Sequence, residues 1–342
     1  MHIAFITTEY ISVEGRSSGG LANYIYKVGK SLSSKGHKVS ILCLSSRYQY
    51  WKDGPIDIYE VKRCQLKLPN KNQFNKWLNI VNQIISAKKI EKQIWNIYSS
   101  YPIDVLQVSS YKTPGYTLVK NGVIPVICRI SSYSPVLRSA FGSTKSLLDC
   151  ILDFIEVQQV INADVSFVPS KFMASLYSRM ENYQPQVLQS PLDEKSVNED
   201  FSLYERILKN KKYLLFFSWL NAVKGVDLIA EVMPRILEQY PDIHFVFIGG
   251  NHYLPRKNSR SLDYIYSCNT QNRDRIIYHE PISKPLLYGI LINAFAVLIP
   301  SRVDNLPNAC LEAFQYGIPV IGSNHSSIEE MVEDGKTGLL FE

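Results

Sequence analysis

"FAVLIPSRVDNLPNACLEAFQYGIPVIGS", residues 295–323, decides the fold. It opens on a continuous apolar run that ends at Pro300 and closes on a second one, "IPVIGS". Between them "NACLEAFQYG" sets Ala309, Leu311, Ala313 and Phe314 at helical spacing and stops at Gly317. Strand, helix and strand in that order, with the strands apolar on both faces, imply neighbouring parallel strands covered by helices. The polar cluster "SRVDNLPN" therefore lies at the carboxyl end of a strand and at the amino end of a helix beginning near Asn308. Free backbone N–H groups and the helix dipole both favour negative charge at such a junction.

The same alternation runs outward through the chain. "HIAFITT", "KVSILCL", "IDVLQVS", "IPVICRI", "DVSFVPS" and "QPQVLQS" read as strands, separated by helices from Leu21 to Ser34, from about Gln73 to Tyr98, and through Ile161. A polar stretch beginning at Pro191, "PLDEKSVNEDFSLYERILKNKK", interrupts the pattern and reads as a linker. It then restarts with "YLLFFSW", a helix from Gly225 to Gln239, "IHFVFIGG", "DRIIYHE", and a helix around Leu286 to Asn293. The expectation is an α/β protein of two doubly wound, parallel-sheet, Rossmann-like domains facing a cleft, residues 1–190 and 191–342. Ligands of such sheets bind beyond the carboxyl ends of the strands.

Charge is divided unevenly. Residues 1–180 carry 22 Lys+Arg against 11 Asp+Glu, and residues 181–342 carry 15 against 20. A basic half meets nucleic acid, an anionic membrane face or a phosphate-bearing substrate. The aromatics are spread along apolar strands and helices without a basic platform, which argues against nucleic acid. "KKIEK", near Trp77, Ile84, Ile85, Ile94 and Trp95, fits either a helix that grazes a bilayer or a solvated crossover helix. No run approaches 18 uninterrupted apolar residues and the start lacks a basic flank followed by an apolar core, so a cytoplasmic protein is expected. Six scattered cysteines without Cys-x-x-Cys, and the lack of any Asp-x-Asp, point to no metal site and no disulfide frame. The cysteines are expected as small buried apolar residues.

Three junctions at strand ends carry candidate chemistry. In "EGRSSGGLANYIYKVGKSL", Gly19 and Gly20 open a helix and admit a phosphate close to backbone amides, although a flexible loop is the commoner meaning of paired glycines. No Gly-x-Gly-x-x-Gly and no Gly-x-x-x-x-Gly-Lys-Ser/Thr is present, which counts against nicotinamide and P-loop chemistry. In "FFSWLNAVKGVDLIAEV", Lys224 sits at the start of a helix, where its charge opposes the dipole unless an anion binds; a solvated lysine is the plainer explanation of that position alone. In the opening stretch Asp304 and Glu312 are placed to accept sugar hydroxyls, or alternatively to serve a turn and a helix cap.

The run "IPSRVDNLPNACLEAFQYGIPVIGSNHSSIEEMVEDGKTGLLFE" resembles the signature of glycosyltransferase family 4, nucleotide-sugar enzymes of GT-B fold. "KGVDLIAEV", "FVFIGG" and "GGLANYIYKVGKSLSSKGHKVSIL" fall in that family's order. The resemblance implies a retaining glycosyltransferase using no cofactor and no metal, with an amino-terminal acceptor domain and a carboxyl-terminal donor domain shortened at its end. It implies that Glu312 accepts from the nucleotide ribose and that Asp304 meets the donor sugar. Asn305, Leu306, Asn308 and Ala309 would hold sugar and diphosphate, Lys224 would pair with the diphosphate, and Gly19 and Gly20 would cover it. Lys224, Asp304 and Glu312 are thus the catalytic set.

The partners implied are a nucleotide-sugar donor, a glycan or lipid-diphosphate-linked acceptor and an anionic membrane face at the inside of the cell membrane, in surface polysaccharide biosynthesis. The chain departs from the pattern at Trp219, where the family often has Arg, and at Ser131, where it commonly has His. Arg129 and Arg302 are candidate substitutes for the missing charge. A non-catalytic nucleotide-sugar-binding scaffold and a sugar-nucleotide epimerase are the alternatives.

Overall fold

The structure is a computed structural model that describes residues 1–11, 19–68, 72–142, 145–191, 198–324 and 326–342. The described residues form two compact units, one of residues 1–11, 19–135 and 145–191, the other of residues 136–142 and 198–342.

Among the described residues eight strands make the sheet of unit one: β1 (His2–Thr7), β2 (Lys38–Ser45), β3 (Gln49–Asp53), β4 (Ile56–Lys62), β5 (Val105–Ser109), β6 (Val126–Arg129), β7 (Val165–Val168) and β8 (Gln186–Val187). Their order is β3-β4-β2-β1-β5-β6-β7-β8, parallel throughout except where β3 runs against β4. The connecting helices are α1 (Gly20–Ser34), α2 (Asn72–Ser100), α4 (Leu147–Ile161) and α5 (Lys171–Glu181), while α3 (Ser134–Phe141) follows β6 in the chain but from Val136 onward belongs to unit two. The order reverses at β1, which has β2 on one side and β5 on the other, so the crevice between the carboxyl ends of β1 and β5 is this sheet's switch point.

Unit two follows the same plan with β9 (Lys212–Phe217), β10 (Ile243–Ile248), a small antiparallel pair β11 (Tyr253–Leu254) and β12 (Ser259–Arg260), β13 (Ile276–His279), β14 (Ala296–Ile299), β15 (Val320–Ser323) and β16 (Gly338–Phe341). Its helices are α6 (Ser202–Ile207), α7 (Val226–Gln239), α8 (Ser261–Cys268), α9 (Lys284–Leu291) and α10 (Asn308–Gln315). The main sheet runs β13-β10-β9-β14-β15-β16 and reverses between β9 and β14. Alternate side chains of its central strands feed two cores. Tyr213, Leu215 and Phe217 of β9 join Val246 and Ile248 of β10 on one face, while Leu214, Phe216, Phe245 and Phe247 join the α7 residues Ile229, Met233 and Leu237 on the other. Each fully buried side chain of this size contributes roughly 1.5–3 kcal/mol, which is why apolar runs without polar alternation specify a sheet covered on both faces.

Several expectations are corrected by packing. The polar stretch after residue 191 is more than a linker, because residues 202–207 form α6 and Leu203 and Leu208 are buried in the core of unit two; residues 192–197 of that stretch lie outside the described residues. Residues 136–142, expected with the first domain, pack in unit two, where Val136, Leu137 and Ala140 meet Val223 and Val303. Along α2 the periodic face of Ile80, Ala87, Ile90, Ile94 and Ile97 is buried, so of the apolar residues that drew attention there only Trp77 is largely exposed. Cys43, Cys128 and Cys310 are buried as expected, but Cys150 is exposed and Cys64 and Cys268 are half-buried. Among the described residues no helix is long and apolar enough to cross a membrane.

Two features fix the strand ends at the switch point of unit two. Gly225, which precedes α7, has φ +71°, and a Cβ there would lie 1.9 Å from the carbonyl oxygen of Pro300 at the end of β14. Only glycine lets the two loops approach so closely. Beside it the Arg302 guanidinium donates to both carboxylate oxygens of Asp227 at 2.7 and 2.8 Å and to the Ala222 carbonyl at 2.5 Å. The backbone N–H of Arg302 also donates to the Val223 carbonyl, 2.9 Å away. Asp227 has a nearly buried side chain, so the pair is a bidentate, largely desolvated lock rather than a surface contact.

Gly225→Ala should lower unfolding stability by at least about 3 kcal/mol through strain and overlap, against roughly 1 kcal/mol for Gly317→Ala, whose φ is also +71° but whose Cβ would meet open space. Chemical denaturation of both variants checks this, and equal losses would refute the close approach. By the same measurement Arg302→Met should cost about 3 kcal/mol by stranding the Asp227 charge, and adding Asp227→Leu should recover most of it.

Candidate functional site

The loops that follow β9 and β14 flank the switch point of unit two, and each brings one of the sequence-predicted residues. Lys224 lies in the turn before Gly225, its backbone N–H held by the Asn221 side-chain oxygen at 3.0 Å. Its ammonium pairs with the Asp304 carboxylate, which also accepts from the Ser301 hydroxyl at 3.2 Å. The Ser323 hydroxyl in turn holds the Ser301 carbonyl at 2.6 Å, so the Asp304 loop is tied to β15 as well. The side chains of Lys224 and Asp304 are only 25% and 10% exposed. An ammonium has three donors, and Asp304 uses part of that capacity, so the remainder is available to an anion.

Asn305, Leu306, Asn308 and Ala309 continue from Asp304 into the first turn of α10 and are half-buried. Pro307 is the N-cap residue and supplies no side-chain acceptor, which leaves the start of α10 without a side-chain cap. Behind it lies Cys310, whose thiol burial pushes up to about 12, with the Asp304 charge adding to the shift; that thiol stays neutral and serves packing. Glu312, one turn further, accepts from the Tyr288 hydroxyl at 3.4 Å and lies 3.7 Å from the Lys284 ammonium. Tyr288 packs on Tyr316 with ring centroids 5.3 Å apart, which braces the Glu312 side of the helix.

Of the two candidate charge substitutes, Arg302 is committed to Asp227 and Ala222 in the lock already described. Arg129 belongs to unit one, at the end of β6. Gly19 and Gly20 are also in unit one, where Gly19 is the N-cap of α1 without a capping side chain. A Cβ on Gly19 would lie 2.9 Å from a Glu9 carboxylate oxygen, so the glycine lets Glu9 approach the start of the helix. Burial raises the Glu9 carboxyl above its ordinary pKa, against the opposing charges of Lys112 and Arg63. The rest of the quoted glycine loop, residues 14–18, lies outside the described residues.

Sequence reasoning missed a cavity of about 510 Å³ lined by Trp219, Asn251, His252, Arg260, Asp263 and Glu280. It opens where the strands β9, β10 and β13 end, with the Trp219 and His252 rings 4.5 Å apart. Burial, reinforced by Arg260, pushes the His252 imidazole below its ordinary pKa, so the ring beside Trp219 is neutral at pH 7. Trp219 registered in the sequence only as a lost arginine, whereas its position after an apolar strand was the available signal. Among the described residues no group of three or more His, Cys, Asp or Glu is arranged to hold a metal ion.

The family described as "Glycosyl transferases group 1" matches residues 199–342. The chain is 27% identical over 137 residues to "Spore coat protein SA" of Bacillus subtilis (strain 168), an alignment covering 39% of this chain and 36% of that protein. The chain thus spans about a third of the length of such curated relatives. Among solved structures, sucrose-phosphate synthase from Thermosynechococcus elongatus superposes with a TM-score of 0.75 at 17% identity, over 99% of this chain and 85% of that one. Anabaena HepE, solved in complex with UDP-glucose, gives a TM-score of 0.68 at 14% identity over 100% and 85%. The chain therefore has the GT-B fold, and its residues 199–342 match the glycosyl transferases group 1 family.

Proposed function

We propose that the chain is a retaining glycosyltransferase that moves a sugar from a nucleoside diphosphate to a hydroxyl of a glycan or lipid-diphosphate-linked acceptor. The observation that carries this reading is the Lys224–Asp304 pair at the switch point of unit two, beside the start of α10, which lacks a side-chain cap, within the segment matched by glycosyl transferases group 1. In the proposed reaction the bond between the anomeric carbon and the diphosphate oxygen breaks as the acceptor oxygen bonds to that carbon on the same face. The acceptor proton passes to the leaving phosphate.

Lys224 and the amides of Asn308 and Ala309 neutralise the charge growing on the diphosphate, the role in which preorganised donors lower a barrier most. Asp304 and Glu312 accept hydroxyls of sugar and ribose, Asn305 and Leu306 line the sugar, and Gly19 and Gly20 cover the diphosphate. The cavity beside Trp219 and His252 takes the nucleobase, since a planar ring stacks on an aromatic face and the carboxylates of Asp263 and Glu280 accept its N–H groups. Unit two thus binds the donor and unit one the acceptor, without metal or nucleic acid. The reading extends to a cytoplasmic enzyme of surface-polysaccharide synthesis touching an anionic inner membrane face through the exposed side of α2, where Trp77, Val81, Lys88 and Lys92 lie.

Titration with UDP, GDP, ADP and their sugars, with and without EDTA, should find one nucleotide bound independently of metal. Glu312→Ala should weaken that nucleotide about tenfold, or roughly 1.4 kcal/mol. Binding of none, or a Glu312→Ala effect on acceptor affinity alone, would sink the assignment. Lys224→Ala should lower kcat for release of nucleoside diphosphate by about 10²–10³ with its fold intact by circular dichroism; an unchanged kcat would remove Lys224 from the mechanism.

A further inference from the structure

Unit one carries a buried cation that no carboxylate among the described residues neutralises. Arg129, the last residue of β6, is 7% exposed, and its guanidinium lies 4.0 Å over the ring of Tyr24 of α1. Its two terminal nitrogens donate to the hydroxyls of Ser131 at 3.3 Å and Ser190 at 3.1 Å, and its Nε is buried with no partner. No Asp or Glu among the described residues forms an ion pair with it. Two neutral hydroxyls and a ring face do not replace the hydration that a guanidinium loses on burial. Burial accordingly pushes Arg129 below its ordinary pKa, with only Tyr24 opposing the shift.

The surroundings repeat the pattern. In the β5–β6 register Ser109 stands directly beside Arg129, and the Ser109 hydroxyl is buried without a partner. So are the hydroxyls of Thr8, just past β1, and Ser132, just past β6. All of these belong to the carboxyl ends of β1, β5 and β6, the ligand end of the sheet and its switch point. Buried polar groups are ordinarily satisfied, so one positive group and several hydroxyls left short at one place mark a site that its ligand completes. The ligand that balances this set is an oxyanion, which accepts from a planar fork and from hydroxyl groups at once.

We infer that Arg129, with Ser131 and Ser190, binds an anionic group of the acceptor, a carboxylate or a phosphate, in unit one. The inference rests on the proposed division of donor and acceptor between the units, and it narrows the acceptor to an acidic sugar or a phosphorylated carrier. It also separates Arg129 from the donor diphosphate, which Lys224 serves. An arginine kept for a ligand weakens the unliganded fold, so removing it should stabilise the protein while abolishing binding.

The test uses the full chain as wild type, Arg129→Met, Arg129→Lys and Lys224→Ala, titrated with inorganic phosphate, glucuronate and glucose. Wild type and Lys224→Ala should bind at least one of the two anions and not glucose. Arg129→Met should lose that anion at least about tenfold, Arg129→Lys should fall between, and Arg129→Met without ligand should melt about 2–4 °C higher than wild type. Glucuronate binding alone identifies an acidic sugar, and phosphate binding alone a phosphorylated carrier. Anion affinity unchanged in Arg129→Met, no Arg129-dependent anion binding in wild type, or a lowered melting temperature would overturn the inference. Nucleoside diphosphate affinity should move less than about twofold in Arg129→Met. A loss as large as that of the anion would return Arg129 to the donor. If wild type binds no nucleoside diphosphate, the donor reading fails, while the phosphate and glucuronate titrations still decide the Arg129 site.

Discussion

The Arg302–Asp227 lock is the constraint on which the candidate site depends. Its partners are 75 residues apart, one on the loop after β14 and the other in the first turn of α7, and Gly225 brings the same two loops into backbone contact. A partly exposed lysine paired with a carboxylate contributes little by itself and holds no fixed geometry, because side-chain entropy and water compete with it. Lys224 and Asp304 meet reproducibly only because the loops beneath them are fixed by a bidentate pair, a carbonyl contact and a glycine with positive φ. The lock also accounts for the charge of Arg302. Its guanidinium faces inward, so the cation presented at the switch point is Lys224.

Much of this was legible in the sequence because it depends on local period. Strands such as "YLLFFSW" and "IHFVFIGG" are apolar at every position, and the two cores that they feed show why: odd and even residues each reach a covered face. The start of α10 at Asn308 and its stop before Gly317 follow from proline, spacing and glycine alone. What could not be read depends on distant partners. Asp227 stands in the first turn of α7 with nothing in its local sequence to single it out, and only its contact with Arg302 shows that it is half of a buried pair. Residues 202–207 lie in a polar stretch that reads as a linker, yet Leu203 and, just past the helix, Leu208 seat that turn in a core made by residues distant in sequence. The β1, β5 and β6 hydroxyls were invisible for the same reason, since a serine in a sequence carries no sign of whether its hydrogen bond is made.

The two units hold positive charge in opposite ways, and the difference follows from the chemistry of the side chains. Lys224 has a compact, strongly hydrated ammonium on a flexible stem, and it is stored beside a carboxylate and partly in water. An anion arriving there must displace or share Asp304, so the gain from Lys224 alone is small and the start of α10 has to contribute. Arg129 has a flat, weakly hydrated fork that can be laid on an aromatic ring and covered, and it is stored with no counter-charge among the described residues. An anion arriving there displaces nothing charged and removes a standing cost, so a single contact brings a larger change. A site that must release its product on every turnover suits the first arrangement, in which the cation keeps a partner whether or not ligand is present. A site that must select one class of molecule suits the second, because a neutral ligand of the same shape leaves the buried charge as costly as before.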